Sequence, residues 1–180
     1  MVFLFRFVFL MWVVFSLQFF LGIDFSRFGI LPRTSWGLIG ILTAPLIHGN
    51  SVHIISNTVP LLFLGWALFF FYENIAKKVF VICFFLTNVL VWLFARPSMH
   101  IGASGIVYGI AFFLIFYGFF KKDFKSLIIS AVIIFFYGGL VYGLFPNQPG
   151  ISWESHLIGA IVGGYTAMNF AQSKSKRLVK

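Results

Sequence analysis

SGIVYGIAFFLIFYGFF, residues 104–120, runs seventeen residues without a charge and stops against Lys121 and Lys122. As a helix rising ~1.5 Å per residue it covers about 25 Å, close to the ~30 Å hydrocarbon core of a bilayer. The run is continuous rather than alternating, which argues against a membrane β-strand. Comparable runs lie at roughly 2–21, 54–72, 79–95, 127–144 and 156–171. The sequence therefore predicts an all-α integral membrane bundle of six transmembrane helices. Six helices of about 20 residues take up about 120 residues. The rest suffices for loops and ends, so residues 1–180 are expected to form one membrane domain with no separate soluble domain. The first run is long, Phe-rich and without a small-residue cleavage site, so it reads as an uncleaved helix rather than a signal peptide.

Composition agrees. The chain is 61% hydrophobic and 9% charged, with a mean hydropathy of +1.01. A soluble domain of this size cannot bury so much apolar surface. The 27 Phe suit lipid-facing helix surfaces. The formal charge of +9 does not point to nucleic acid, because the basic residues cluster between the apolar runs, where they orient the chain. With six spans, Arg6, Lys77, Lys78, Lys121, Lys122, Lys125, Lys174, Lys176, Arg177 and Lys180 share one side, and Arg27, Arg33 and Arg96 the other. That bias places both termini in the cytoplasm. The single cysteine, Cys83, lies inside a run and reads as packing.

Polar residues inside membrane segments are costly and tend to mark function. Three clusters stand out: His48 to Asn57, Gly102-Ala103-Ser104-Gly105, and Ser155-His156. In the predicted topology all three fall at outer helix ends. Ser104 and His156 lie at similar depths, about 25 Å and about 24 Å of helix from the inner interface at ~1.5 Å per residue. Groups at that depth need water or each other, so a wet cavity open to the outside is implied. His156, Gly159 and Gly163 share a helix face, and Gly105 and Gly109 form a second small-residue face. Such faces let membrane helices approach closely, which would bring the His156 imidazole to the Ser104 hydroxyl. Tyr108, one turn from Ser104 on the same face, would stack on that imidazole. Taken singly, each feature has a plainer reading as helix packing or as an interfacial side chain.

Other chemistries fit less well. No His-Glu-x-x-His segment is present, and His48 and His53 are five apart, so no metal site and no cofactor are expected. The acids are Asp24, Glu73, Asp123 and Glu154. Glu154, two residues from His156, would point away from it on a helix, which favours a Ser-His dyad and leaves a Ser-His-acid triad open. A transporter using His48, His53 and His156 as an ion path would need ionisable groups in the inner half of the spans, where there are almost none.

The whole constellation resembles the rhomboid family of intramembrane serine proteases. The matching pattern is His48-x4-His53-x3-Asn57, then Gly102-x-Ser104-Gly105 with Tyr108, then His156-x2-Gly159-x3-Gly163. The resemblance implies a rhomboid-like six-helix bundle with Ser104 as nucleophile and His156 as general base. It implies an oxyanion hole made by His53, Asn57 and the Ser104 backbone N–H, with His48 shaping the outer end of the second helix. Glu73 resembles an acidic position of the family. The implied reaction is cleavage of a transmembrane segment of another membrane protein near its outer end. The alternative is a catalytically inactive relative that binds membrane proteins. The chemistry is coherent: a serine hydroxyl needs a base to take its proton, and an N–H in a helix's first turn, with no helical acceptor, suits a developing oxyanion. The segment 22–47 departs from the family, having Arg33 and Trp36 in place of a Trp-Arg pair. The Pro/Gly-rich segment 145–153 is expected to cap the cavity and to move with the fifth helix. The expected setting is a bacterial plasma membrane, with the site toward the outer side, lipid and membrane-protein substrates as partners, and no nucleic acid.

Overall fold

The computed structural model describes residues 1–146 and 150–178, with side chains as far as Gln172. Six long helices follow one another: α1 (Val2–Leu21), α2 (Ser51–Phe71), α3 (Glu73–Phe94), α4 (Ser104–Lys121), α5 (Phe124–Tyr137) and α6 (Trp153–Leu178). α5 tightens into a 3₁₀ segment, Gly138–Leu144. Local chemistry sets several ends. Gly22 closes α1 in a left-handed conformation. The Asn50 side chain accepts from the His53 N–H at the start of α2, and Asp123 accepts from the Ser126 N–H at the start of α5.

Among the described residues, five stretches are long and apolar enough to cross a membrane: α1, α2, α3, α4 and α5 with its 3₁₀ extension. α6 forms where the sixth run was read, but Glu154, His156, Thr166 and Asn169 keep it more polar. α3 begins six residues before the run 79–95, because Lys77 and Lys78 are accepted within its first turns. Of these five, α4 is the most enclosed, and α1 and α5 the least. Phe5, Phe9, Phe19, Phe20, Phe135 and Phe136 stand exposed on α1 and α5. An apolar rim of this kind suits lipid rather than water. Leu61, Leu64, Phe80, Ile110, Phe113 and Tyr117 form the centre of the core.

α4 and α6 form the closest pairing, and glycine is the reason. A Cβ on Gly159 would land on the Gly105 carbonyl oxygen, and one on Gly163 on the Gly109 carbonyl oxygen. The two backbones therefore touch, with no room for a side chain between them. Cys83 packs against Gly109 at the same crossing and is buried. Gly159→Ala is expected to destabilise the fold by about 1–3 kcal/mol, since the obstruction is backbone and cannot yield. Gly139→Ala, whose Cβ meets nothing within 4 Å, is the control. Equal melting temperatures for the two variants in detergent would contradict this packing.

The segment between α1 and α2, read from sequence only as a short departure from the family, is compactly folded. It makes short helical turns at Ser26–Phe28, Trp36–Leu38, Gly40–Thr43 and Ala44–Leu46. Arg33, in a left-handed conformation (φ 59), donates to the carbonyls of Leu93 (3.1 Å) and Ala95 (2.8 Å). Its cation thus meets the unpaired carbonyls at the C-terminal end of α3. Trp92 Nε1 donates to the Thr34 carbonyl, Asn88 Nδ2 to the Ile41 carbonyl and Trp36 Nε1 to the Arg27 carbonyl. The same segment reaches the chain ahead of α4: Ile30 and His100 pair backbone to backbone, and the Gly102 N–H donates to the Ala44 carbonyl at 2.8 Å. Glu73 is the exposed first residue of α3, where its charge faces the positive end of the helix.

Candidate active site

His53, Ser104 and His156 lie in the first turns of α2, α4 and α6, at one end of the bundle. A cavity of about 910 Å³ opens there, lined by His53, Asn57, Ser104, Tyr108 and His156 among others. Ser104 is the first residue of α4. The turn before it needs Gly102, whose φ of 102° is rarely open to other residues. A Cβ there would also stand 2.6 Å from His53 Nε2 and 3.5 Å from Asn57 Nδ2. The His53 ring and the Asn57 amide, one turn apart on α2, therefore close on the backbone that leads into Ser104. The Asn57 amide also donates to the His53 carbonyl at 3.0 Å, which fixes its rotamer.

The His156 imidazole is held on two sides. Its ring lies parallel to that of Tyr108, with centroids 4.2 Å apart and planes 4° apart. Its Nδ1 is 2.9 Å from the Gly143 carbonyl oxygen. A carbonyl only accepts, so Nδ1 carries the proton, and in the neutral ring Nε2 keeps the free lone pair. Gly143 permits this contact because it is glycine: a Cβ would overlap the Tyr108 hydroxyl and come within 3.2 Å of Nδ1. Glu154, the one acid near His156 in sequence, pairs instead with Arg96 at 3.3 Å. The Nδ1 position that an acid would take in a triad is occupied by a backbone carbonyl.

His48 lies ahead of α2 rather than on it. Its ring and that of His53 meet edge to face, with centroids 4.9 Å apart. The spacing of five, which on a helix would point them apart, does not apply. His48 is fully buried and its carbonyl accepts from Gln18 Nε2. Burial, reinforced by the neighbouring His53, pushes its pKa from 6.5 down to about 4. The unfolded chain thus takes up this proton first, so the stability the neutral ring contributes is complete above pH 6.5 and is lost as pH falls toward 4. The loss amounts to about 3 kcal/mol. Melting temperatures measured over that window should fall with acidity, and His48→Gln should flatten the fall; an unchanged slope would contradict it.

Sequence reasoning missed Gly143, which has no side chain to signal a role, and His100, which sits beside the Ser104 motif but belongs to no recognised pattern. Of the segment expected to cap the cavity, Gly150, Ile151 and Ser152 line it, and residues 147–149 lie outside the described residues. No group of three or more His, Cys, Asp or Glu side chains among the described residues is arranged to hold a metal ion.

The Rhomboid domain model matches residues 35–173, most of the chain. The chain belongs to the rhomboid family. Proteins called uncharacterized from Mycobacterium bovis and Mycobacterium tuberculosis are each similar to it at 36% identity over 146 residues, covering 75% of this chain and 60% of their own. A further protein called uncharacterized, from Mycobacterium leprae, is 33% identical over 143 residues, covering 70% of this chain and 53% of its own. The rhomboid chain thus spans about 60% of the length of the first of these relatives. As a rhomboid with several apolar helices it is an integral membrane protein. Rhomboids are generally intramembrane serine proteases, although some members are inactive.

Proposed function

We propose that this rhomboid is an intramembrane serine endopeptidase that cleaves transmembrane segments of other membrane proteins near their outer end. The observation that carries this reading is the His156 ring, clamped between Tyr108 and the Gly143 carbonyl in the cavity that Ser104 lines. With Nδ1 protonated, Nε2 is the base. It takes the Ser104 proton as Oγ attacks the scissile carbonyl carbon. The negative charge moves to the carbonyl oxygen, where the Ser104 N–H, the His53 ring and the Asn57 amide donate to it. The imidazolium then returns its proton to the leaving amine, and water from the cavity releases the acyl group by the reverse sequence. The working unit is a dyad, with Gly143 in the orienting position an acid fills elsewhere.

Six spans with both termini in the cytoplasm put this cavity toward the outer side, and the mycobacterial relatives favour a bacterial plasma membrane. Substrates are single-span or other transmembrane proteins whose helix unwinds locally, because a scissile amide must leave its helical hydrogen bond before attack. Residues 1–180 act as one membrane domain. The test reconstitutes the protein in liposomes with a single-span substrate, maps the product termini by mass spectrometry, and labels the protein with a fluorophosphonate. New termini in the outer third of the substrate span, with the label on Ser104, are the expected result. Neither cleavage nor labelling would instead favour a catalytically inactive scaffold that binds membrane proteins.

A further inference from the structure

A second polar network lines the same cavity, and among the described residues none of its side chains hydrogen-bonds to the side chain of Ser104 or His156. His100 is 2% exposed. Its Nε2 is 3.1 Å from the Arg96 carbonyl oxygen, and its Nδ1 is 2.5 Å from Ser152 Oγ. Ser152 Oγ is in turn 2.6 Å from Ser155 Oγ. The proton positions follow from the Arg96 carbonyl, which only accepts. Nε2 is therefore protonated and Nδ1 accepts from Ser152, leaving Ser152 Oγ to accept from Ser155. Burial pushes the His100 pKa down and keeps the ring neutral. Arg96 adds a parallel tie, donating to the Ile151 carbonyl at 2.9 Å and pairing with Glu154 at 3.3 Å. His100 precedes Ser104 by four residues, and Ser152 precedes His156 by four. Beyond Ser155 the chain returns to α4, where the Ser155 carbonyl oxygen would stand 3.3 Å from a Cβ on Gly105.

We propose that His100 is a positioning residue whose bond to Ser152 fixes the lead-in of α4 against the first turn of α6, and so sets the reach between Ser104 and His156. Nothing in the network touches the reacting atoms; it acts through the two backbones that carry them. The inference rests on the protease reading.

Four proteins are compared in liposomes: wild type, His100→Ala, Ser152→Ala and the double variant. A fifth, His100→Asn, places an amide oxygen where Nδ1 accepted. Loss of the bond is expected to lower kcat and the rate of fluorophosphonate labelling together by about tenfold to hundredfold with KM within about twofold, the pattern of a misplaced catalytic pair rather than of weakened binding. The double variant should be no slower than the worse single one, because both remove the same bond. His100→Asn should recover most of the loss. Ser152→Ala deletes only a hydroxyl and reports even if His100→Ala folds poorly. Wild-type kcat in Ser152→Ala, multiplying losses in the double variant, or a change confined to KM would overturn the inference while leaving the protease reading intact. A wild-type protein that neither cleaves nor labels overturns the protease reading, and this inference with it.

Discussion

Ser104→Ala and His156→Ala should each lower cleavage of a transmembrane substrate by about 10⁴–10⁶-fold, and the double variant by no more than the worse of the two. The non-additivity is the informative part. Without its base the hydroxyl stays protonated and barely attacks, and without the hydroxyl the base has nothing to activate. Both variants should fold normally, since Ser104 and His156 are only half-buried and line open space. Fluorophosphonate labelling separates their roles: Ser104→Ala loses the acceptor atom and His156→Ala only the rate. Cleavage surviving in either variant at more than about a hundredth of wild type would remove the dyad from the mechanism, since one lost oxyanion donor alone costs that much.

His53→Ala and Asn57→Ala should each lower kcat by about 10²–10³-fold with little change in KM, because an oxyanion donor acts mainly on charge that develops in the transition state. The geometry behind this is the packing of both side chains on Gly102, immediately ahead of Ser104. Asn57 is 3% exposed and its amide donates to the His53 carbonyl, so its direction is set by the fold. Asn57→Asp keeps the shape but puts an acceptor where a donor is needed, and should lose at least as much as alanine. A rise in KM alone would assign these residues to substrate binding. The titration of His48 gives a control, since His48→Gln should change acid stability far more than turnover at neutral pH.

The helices were legible because continuous apolar runs of bilayer length admit few other readings. The α4–α6 contact was legible for a similar reason: paired small residues at helical spacing, Gly105 with Gly109 and Gly159 with Gly163, announce a close approach. Positions decided by distant partners carried no comparable mark. Arg33 reads as one more basic residue until α3 presents its carbonyls of Leu93 and Ala95. His100 finds Ser152 across 52 residues of chain. Gly143 matters through its carbonyl, which every residue has, and through an absence of side chain that many loops share. The pairing of His48 with His53 was misread because the spacing was laid on a helix that begins only at Ser51.

The polarity of α6 bears on how the protein is made. A helix carrying Glu154, His156 and Asn169 partitions into lipid less readily than its neighbours, and among the described residues it falls outside the five stretches apolar enough to insert by themselves. Its glycine face instead lies backbone to backbone on that of α4, with no room for a lipid chain between them. Docking of α6 on α4 is then also what brings His156 to the cavity that Ser104 lines. On the proposed dyad, a chain in which α6 has not docked would hold Ser104 without a base.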